Sequence, residues 1–309
     1  MPVPVHVSVL RGGEPRVGAR AASPLALVRF ERLIARSSGS AGVSIGLLDG
    51  PVVTTHPDLA GARIRSVEDG SGGSCALPDS GACEHGTFIA GILVARRGAR
   101  APAICPRCEL LLRPIFHETR AGGRVPTATP DDVAHAIADC VGAGARVLNL
   151  SAATVEPSTR VERRLHEALD YAAVRGALVV AAAGNQATLG SSAITRHPWV
   201  IPVVACDPWG RPTGESNLGG SVGRRGLGAP GEAIKSLAPG GGSRSGGGTS
   251  AAAAFVTGAV ALLWSLFPAA SAGEIKGAVS GAGRRRGVSP PLLDAEGALA
   301  SLEGRFRGG

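Results

Sequence analysis

Three side chains far apart along the chain could together attack a carbonyl: Asp49 in VSIGLLD, His85 in EHGTFIAG and Ser250 in GGGTSAAAAFVTG. A serine hydroxyl is a poor nucleophile until a base takes its proton. Neutral imidazole is that base near neutral pH. A carboxylate holds the imidazole in the right tautomer and stabilises the imidazolium that forms. Asn185, in VVAAAGN, adds a side-chain amide that can donate to the oxyanion of a tetrahedral intermediate. Alone, each residue has an ordinary reading: a turn Asp, a capping or core His, an N-cap before a helix, an Asn in a left-handed turn. Their joint occurrence in the order Asp, His, Asn, Ser is what points to acyl transfer.

These residues need elements to bring them together. Short apolar runs between turn signals predict strands at Val43–Asp49, Leu110–Phe116, Arg146–Ser151, Ala177–Ala183 and Val200–Ala205. None alternates with polar residues, which suits strands covered on both faces. Helical patterns lie between them. Asp131–Val141 follows Thr129-Pro130 with acidic residues in its first turn, and Val161–Val174 puts Leu165, Leu169 and Ala172 on one face. Thr87–Val94 predicts a short helix after His85, and Leu25–Ile34 another near the start. Alternating strands and helices imply an α/β fold: a mostly parallel central sheet with helices on both faces. Ligands gather at the carboxyl ends of such strands, where Asp49 and Asn185 would sit. Gly246, Gly247 and Gly248 let the backbone turn sharply before Ser250, and the helix N-terminus there offers N–H groups to an oxyanion. The expected organisation is an N-terminal extension over 1–40, a peptidase domain over 41–303 and a tail over 304–309.

Composition narrows the options. Of 309 residues, 44% are hydrophobic but only 3% aromatic, so the core must be built from small and branched side chains. The net charge of +8 is mostly dispersed arginine, without the interleaved aromatics that stack bases, so no nucleic-acid partner is expected. An acidic substrate or leader peptide fits the charge. AAAAFVTGAVALLWSLF, after Ser250, approaches membrane-spanning length, but its position behind the nucleophile predicts a buried central helix and no membrane partner. The N-terminus lacks an uninterrupted apolar core of signal-peptide type, so a cytoplasmic setting is expected. Of the six cysteines, Cys140 and Cys206 read as core residues. Cys75, Cys83, Cys105 and Cys108 admit three readings: a zinc site, one or two disulfides, or free thiols.

LLDG, HGTFIAGIL, NLSAAT, VVAAAGN and GGTSAAAAFVTGAVALL together resemble the successive signatures of the subtilisin-like protease family, from about Val43 to Val279. LLDGPVVTTHPDLAGA, CPRCELLLRPIF and GLGAPGEAIKSLAPGGG look like the proteases that mature cyanobactin-type ribosomal peptides. The resemblance implies a three-layer subtilisin-like fold and an endopeptidase that processes a peptide or protein substrate, such as a precursor peptide. It implies the same roles for Asp49, His85, Ser250 and Asn185. It also implies a substrate strand formed by Asn149, Leu150, Ser151, Ala152, Ala153 and Thr154, with Ala183 and Gly184 beside it. Ala153 and Thr154 stand where the family often has glycine, which predicts a restricted groove. Ala251 and Ala254 replace the Met and Pro usual in the nucleophile motif, and Ala254 removes a helix kink. The family's calcium loop has no counterpart in VARRGARAPAICPRC, which holds no acidic residue, so no metal or cofactor is expected. The 35 residues between Asp49 and His85 look too few for the lid of a macrocyclase, so hydrolysis is the expected outcome. A general degradative protease, a peptide macrocyclase and a non-catalytic peptide-binding protein are the rival readings.

Overall fold

Seven short strands, most of them apolar runs, line up in a single sheet in which every neighbouring pair is parallel. The structure, a computed structural model, describes residues 5–7, 22–67, 73–119, 127–154, 162–281, 285 and 287–306, with backbone only at 5–7, 153 and 154. In chain order the strands are β1 (Ser44–Leu48), β2 (Arg63–Ser66), β3 (Glu109–Leu112), β4 (Val147–Leu150), β5 (Leu178–Ala182), β6 (Val200–Cys206) and β7 (Leu227–Pro230). Across the sheet they run β7-β6-β5-β4-β1-β3-β2. The expected strand 110–116 stops at Leu112, because Ile115 and Phe116 turn to donate to the Asp49 carbonyl instead. β2 and β7 were not foreseen. β2 is a half-exposed edge strand, RIRS, and β7 contains Gly228 and Pro230.

The principal helices are α1 (Gly81–Val94), α2 (Pro130–Gly142), α3 (Arg163–Val174), α4 (Thr249–Leu266), α5 (Ala272–Ser280) and α6 (Ala295–Phe306). Side chains alternate across the pleat. Ile45, Leu47, Val147 and Val180 face α1 and α4 in one core, and Leu48, Leu148, Leu150 and Val179 face α2 and α3 in the other. The result is the expected three-layer α/β architecture. α4 is long and apolar enough to cross a membrane by composition alone, yet 89% of it is buried inside the protein. It fills the interior with small residues. A Cβ on Gly258 would lie 2.5 Å from Ile104 Cγ2, so glycine is what permits that contact. The helix continues without a break through the buried Ala254.

Local signals explain most boundaries. Thr129 and Asp132 form a reciprocal capping box at the start of α2, with Pro130 in its first turn. α1 begins six residues before the expected Thr87, because the Ser80 hydroxyl accepts from Cys83 N–H and starts the helix at Gly81. His85 therefore sits in the second turn. The expected helix over 25–34 is two helices, Pro24–Leu27 and Glu31–Arg36, broken at Arg29 with φ of 55°. Part of the expected N-terminal extension belongs to the core: Val28, Phe30 and Leu33 are fully buried, and Phe30 meets Phe255 of α4 edge-on at 6.4 Å. α6 likewise continues to Phe306, inside the expected tail.

Candidate active site

The chain goes from β1 outward to β2 and β3 on one side, then to β4 through β7 on the other. β1 and β4 are thus the switch point, where diverging crossovers leave a crevice beyond the strand ends. Asp49 follows β1 there, and Ser151 follows β4. Two glycines let α1 press onto the end of β1. A Cβ on Gly50 would lie 2.0 Å from the Ala82 carbonyl oxygen, and one on Gly86 would lie 2.3 Å from the Gly50 carbonyl oxygen. This close approach delivers His85 to Asp49. His85 Nδ1 donates to Asp49 Oδ1 at 2.6 Å, with the residues 1% and 0% exposed. Asp49 Oδ1 also accepts the Gly50 N–H at 2.6 Å. With its proton on Nδ1, the ring presents Nε2 as a base, and that nitrogen is buried without a partner.

Ser250 is the second residue of α4, after Gly248 with φ of 100°. Its hydroxyl donates to the Ser151 carbonyl oxygen at 3.4 Å, a long contact, rather than to the imidazole. Moving between staggered wells about Cα–Cβ is the rotation that would redirect it. Asn185 lies between the end of β5 and α4. Its Oδ1 accepts the Thr249 N–H at 3.0 Å, which leaves Nδ2 as the free end, buried and unpartnered. A Cβ on Gly248 would come within 2.6 Å of that nitrogen. A buried carboxylate–imidazole pair, a helix-start hydroxyl and an unpaired amide N–H therefore gather on the side of the sheet where β1, β4 and β5 end.

Residues 40–289 match the peptidase S8 profile, the Subtilase family. The chain belongs to the subtilase family. This is a family of serine endopeptidases built on an Asp-His-Ser triad. A thermophilic serine proteinase from Bacillus sp. strain AK1 is 33% identical over 74% of this chain, which spans about half (53%) of that relative's length. Among solved structures, the protease domain of PatA, a patellamide maturation protease, superimposes with a TM-score of 0.78 at 30% identity, over 86% of this chain and 97% of that one. The prenylagaramide maturation protease PagA gives 0.76 at 25% identity, over 88% and 98%.

Within this subtilase, the residues expected to hold substrate divide into two groups. Asn149 and Leu150 do not reach the crevice. Asn149 is fully buried, with Oδ1 accepting the Thr257 hydroxyl at 2.9 Å and Nδ2 donating to Ser151 Oγ at 3.0 Å, while Leu150 is in the α2–α3 core. They tie β4 to α4 and the helix layer. Ser151, Ala183 and Gly184 do stand at the strand ends; Gly184 N–H donates to Thr249 Oγ1 at 3.1 Å. Ala152–Thr154 forms a strand as expected, and its backbone accepts a partner strand from this same chain. Val5–Val7 pairs with it antiparallel, Val7 opposite Ala152 and Val5 opposite Thr154, and pairs on its other side with Thr127–Ala128. The expected narrowing by Ala153 and Thr154 concerns side chains outside the described set.

The cysteines separate as well. Cys75 and Cys83 form a disulfide, which removes them from any zinc reading. Cys105, Cys108, Cys140 and Cys206 are buried thiols. The disulfide joins α1, two residues before His85, to a loop that hydrogen-bonds Val52 just beyond Asp49. Away from the crevice, His166, Asp170 and His197 lie close enough to share an ion. His197 Nδ1 accepts the Trp199 N–H at 3.3 Å, so its proton resides on Nε2 and goes to Asp170 at 3.1 Å. Burial lowers the pKa of His197, with the Asp170 hydrogen bond opposing. His197 and Asp170 thus satisfy each other, with His166 Nδ1 3.8 Å from Asp170. Asn217, in an irregular run with no period to mark it, was not foreseen; its carboxamide bonds Ala183, Gln186 and Thr188, on both sides of Asn185.

Proposed function

We propose that this subtilase hydrolyses peptide bonds through an acyl-enzyme on Ser250, and that its substrate is a ribosomally made precursor peptide. The observation that carries the chemistry is the 2.6 Å Asp49–His85 pair, which leaves Nε2 without a partner and so free to serve the Ser250 hydroxyl at the start of α4. Ser250 Oγ attacks the carbonyl as His85 Nε2 takes its proton. The Asn185 Nδ2–H and free N–H groups of the first turn of α4 receive the oxyanion. The imidazolium, stabilised by Asp49, returns the proton to the leaving amine, and water then releases the acyl group by the same steps.

Substrate is held as an added strand along Ala152–Thr154, the pairing that Val5–Val7 makes here. The precursor-peptide reading is supported by the likeness to two maturation proteases, and the charge of +8 suits an acidic leader. A cytoplasmic setting goes with it. The four unpaired thiols fit that setting and the single cystine counts against it. A fluorophosphonate should label wild-type protein and not the Ser250→Ala variant. Folded wild type that resists labelling ends the hydrolytic reading. Mass spectrometry of a cleaved precursor should show linear fragments. A product lighter by one water would mean cyclisation, and indiscriminate fragmentation of casein would mean general degradation.

A further inference from the structure

We propose that Asn217 is a positioning residue of this site: its carboxamide fixes the loop that aims the Asn185 N–H into the crevice. Asn185 sits outside any strand or helix, and the backbone bonds that tie its loop to 215–218, from the Ala187 N–H to the Glu215 carbonyl at 2.8 Å and from the Leu218 N–H to the Thr188 carbonyl at 3.0 Å, lie on its far side. Gly184 before it has φ of 106° and Ala187 after it φ of 54°, the latter a conformation that L residues adopt only when their surroundings impose it. Thr249 grips one side: its N–H donates to Asn185 Oδ1, and its hydroxyl accepts the Gly184 N–H. Asn217 grips the other. Its Oδ1 accepts the Gln186 N–H at 2.9 Å and the Thr188 N–H at 3.1 Å. Its Nδ2 donates to the Ala183 carbonyl at 3.2 Å and to Gln186 Oε1 at 2.7 Å. Its own backbone N–H donates to the Gly184 carbonyl at 2.8 Å.

All four hydrogen-bonding positions of the carboxamide are therefore spent on residues flanking Asn185, before and after it, and none on Asn185 itself. The residue is 8% exposed, so water is poorly placed to take over all of these bonds if it is replaced. A rigid donor is what an oxyanion site requires, since a donor that must reorganise during the reaction loses most of its effect. Asn217 never touches substrate. It acts on the rate through the angle and distance of Asn185 Nδ2.

The inference rests on the proposed role of Ser250 and Asn185, and the test separates the two. The readout is the second-order rate of fluorophosphonate labelling, with thermal melting as the control for folding. Asn217→Asp keeps the shape but loses both N–H donors, and should label about tenfold more slowly or worse. Asn185→Ala should be slower still. The double variant Asn185→Ala/Asn217→Asp should be no more than about threefold slower than Asn185→Ala, because Asn217 has then lost the group it serves. Wild-type labelling rates for Asn217→Asp, or losses that multiply in the double variant, overturn the positioning role and leave the hydrolytic reading intact. Wild type that does not label at all removes both. Asn217→Ser, with one hydroxyl in place of the amide, repeats the cycle should Asn217→Asp melt below the assay temperature.

Discussion

Asn185 Nδ2 is a buried N–H with no partner, a state that costs about 1–3 kcal/mol in an ordinary interior. In the proposed reaction the oxyanion supplies the missing partner. Replacing Asn185 by Ala should lower kcat by about 10²–10³-fold, the size found for the corresponding donor in subtilisin, with KM nearly unchanged. Steady-state kinetics on a cleaved peptide checks this, and an effect confined to KM would assign the amide to ground-state binding. The reactive residue types were legible in the sequence because their chemistry is specific and their motifs are local. The direction of each side chain was not. Ser250 Oγ meets the Ser151 carbonyl, a residue 99 positions away, and no local pattern encodes that contact.

At the level of elements, the site depends on how closely α1 approaches the end of β1. Gly86→Ala would set a Cβ 2.3 Å from the Gly50 carbonyl oxygen, against backbone that cannot yield cheaply. The variant should lose stability by about 1–3 kcal/mol and lose kcat as well, because α1 carries His85 away from Asp49. Thermal melting and kinetics on the same preparation test both halves. The Cys75–Cys83 disulfide closes a loop with a separation of only eight residues, so its removal should cost about 2.5 kcal/mol by the loop-entropy estimate. Urea unfolding of Cys75→Ser/Cys83→Ser against wild type measures it. The start of α1 was illegible for a physical reason. DSGACEHGTF has no apolar period, and the helix is begun by a serine cap and held by packing against Gly50.

For the whole molecule, the small sheet is the informative feature. Val5–Val7 occupies the pairing edge of Ala152–Thr154 that a substrate strand would need. A tethered segment competes at a high effective concentration. Deleting residues 1–10 should therefore lower KM for a peptide substrate severalfold and leave kcat unchanged. An unchanged KM would mean that the strand pairing does not exclude substrate.

The sequence by itself determined the α/β class, most strand and helix positions, and which residues could perform acyl transfer. Those properties rest on hydrophobic periodicity, capping and functional-group chemistry, all of which act over a few residues. The tertiary structure alone decided that Asn149 is spent on Thr257, that Asn217 holds the Asn185 loop, and that Val5–Val7 pairs with Ala152–Thr154. Each joins positions 29 or more residues apart or depends on a buried hydrogen bond being the best one available. Such choices emerge only when the sheet has closed and water has been excluded.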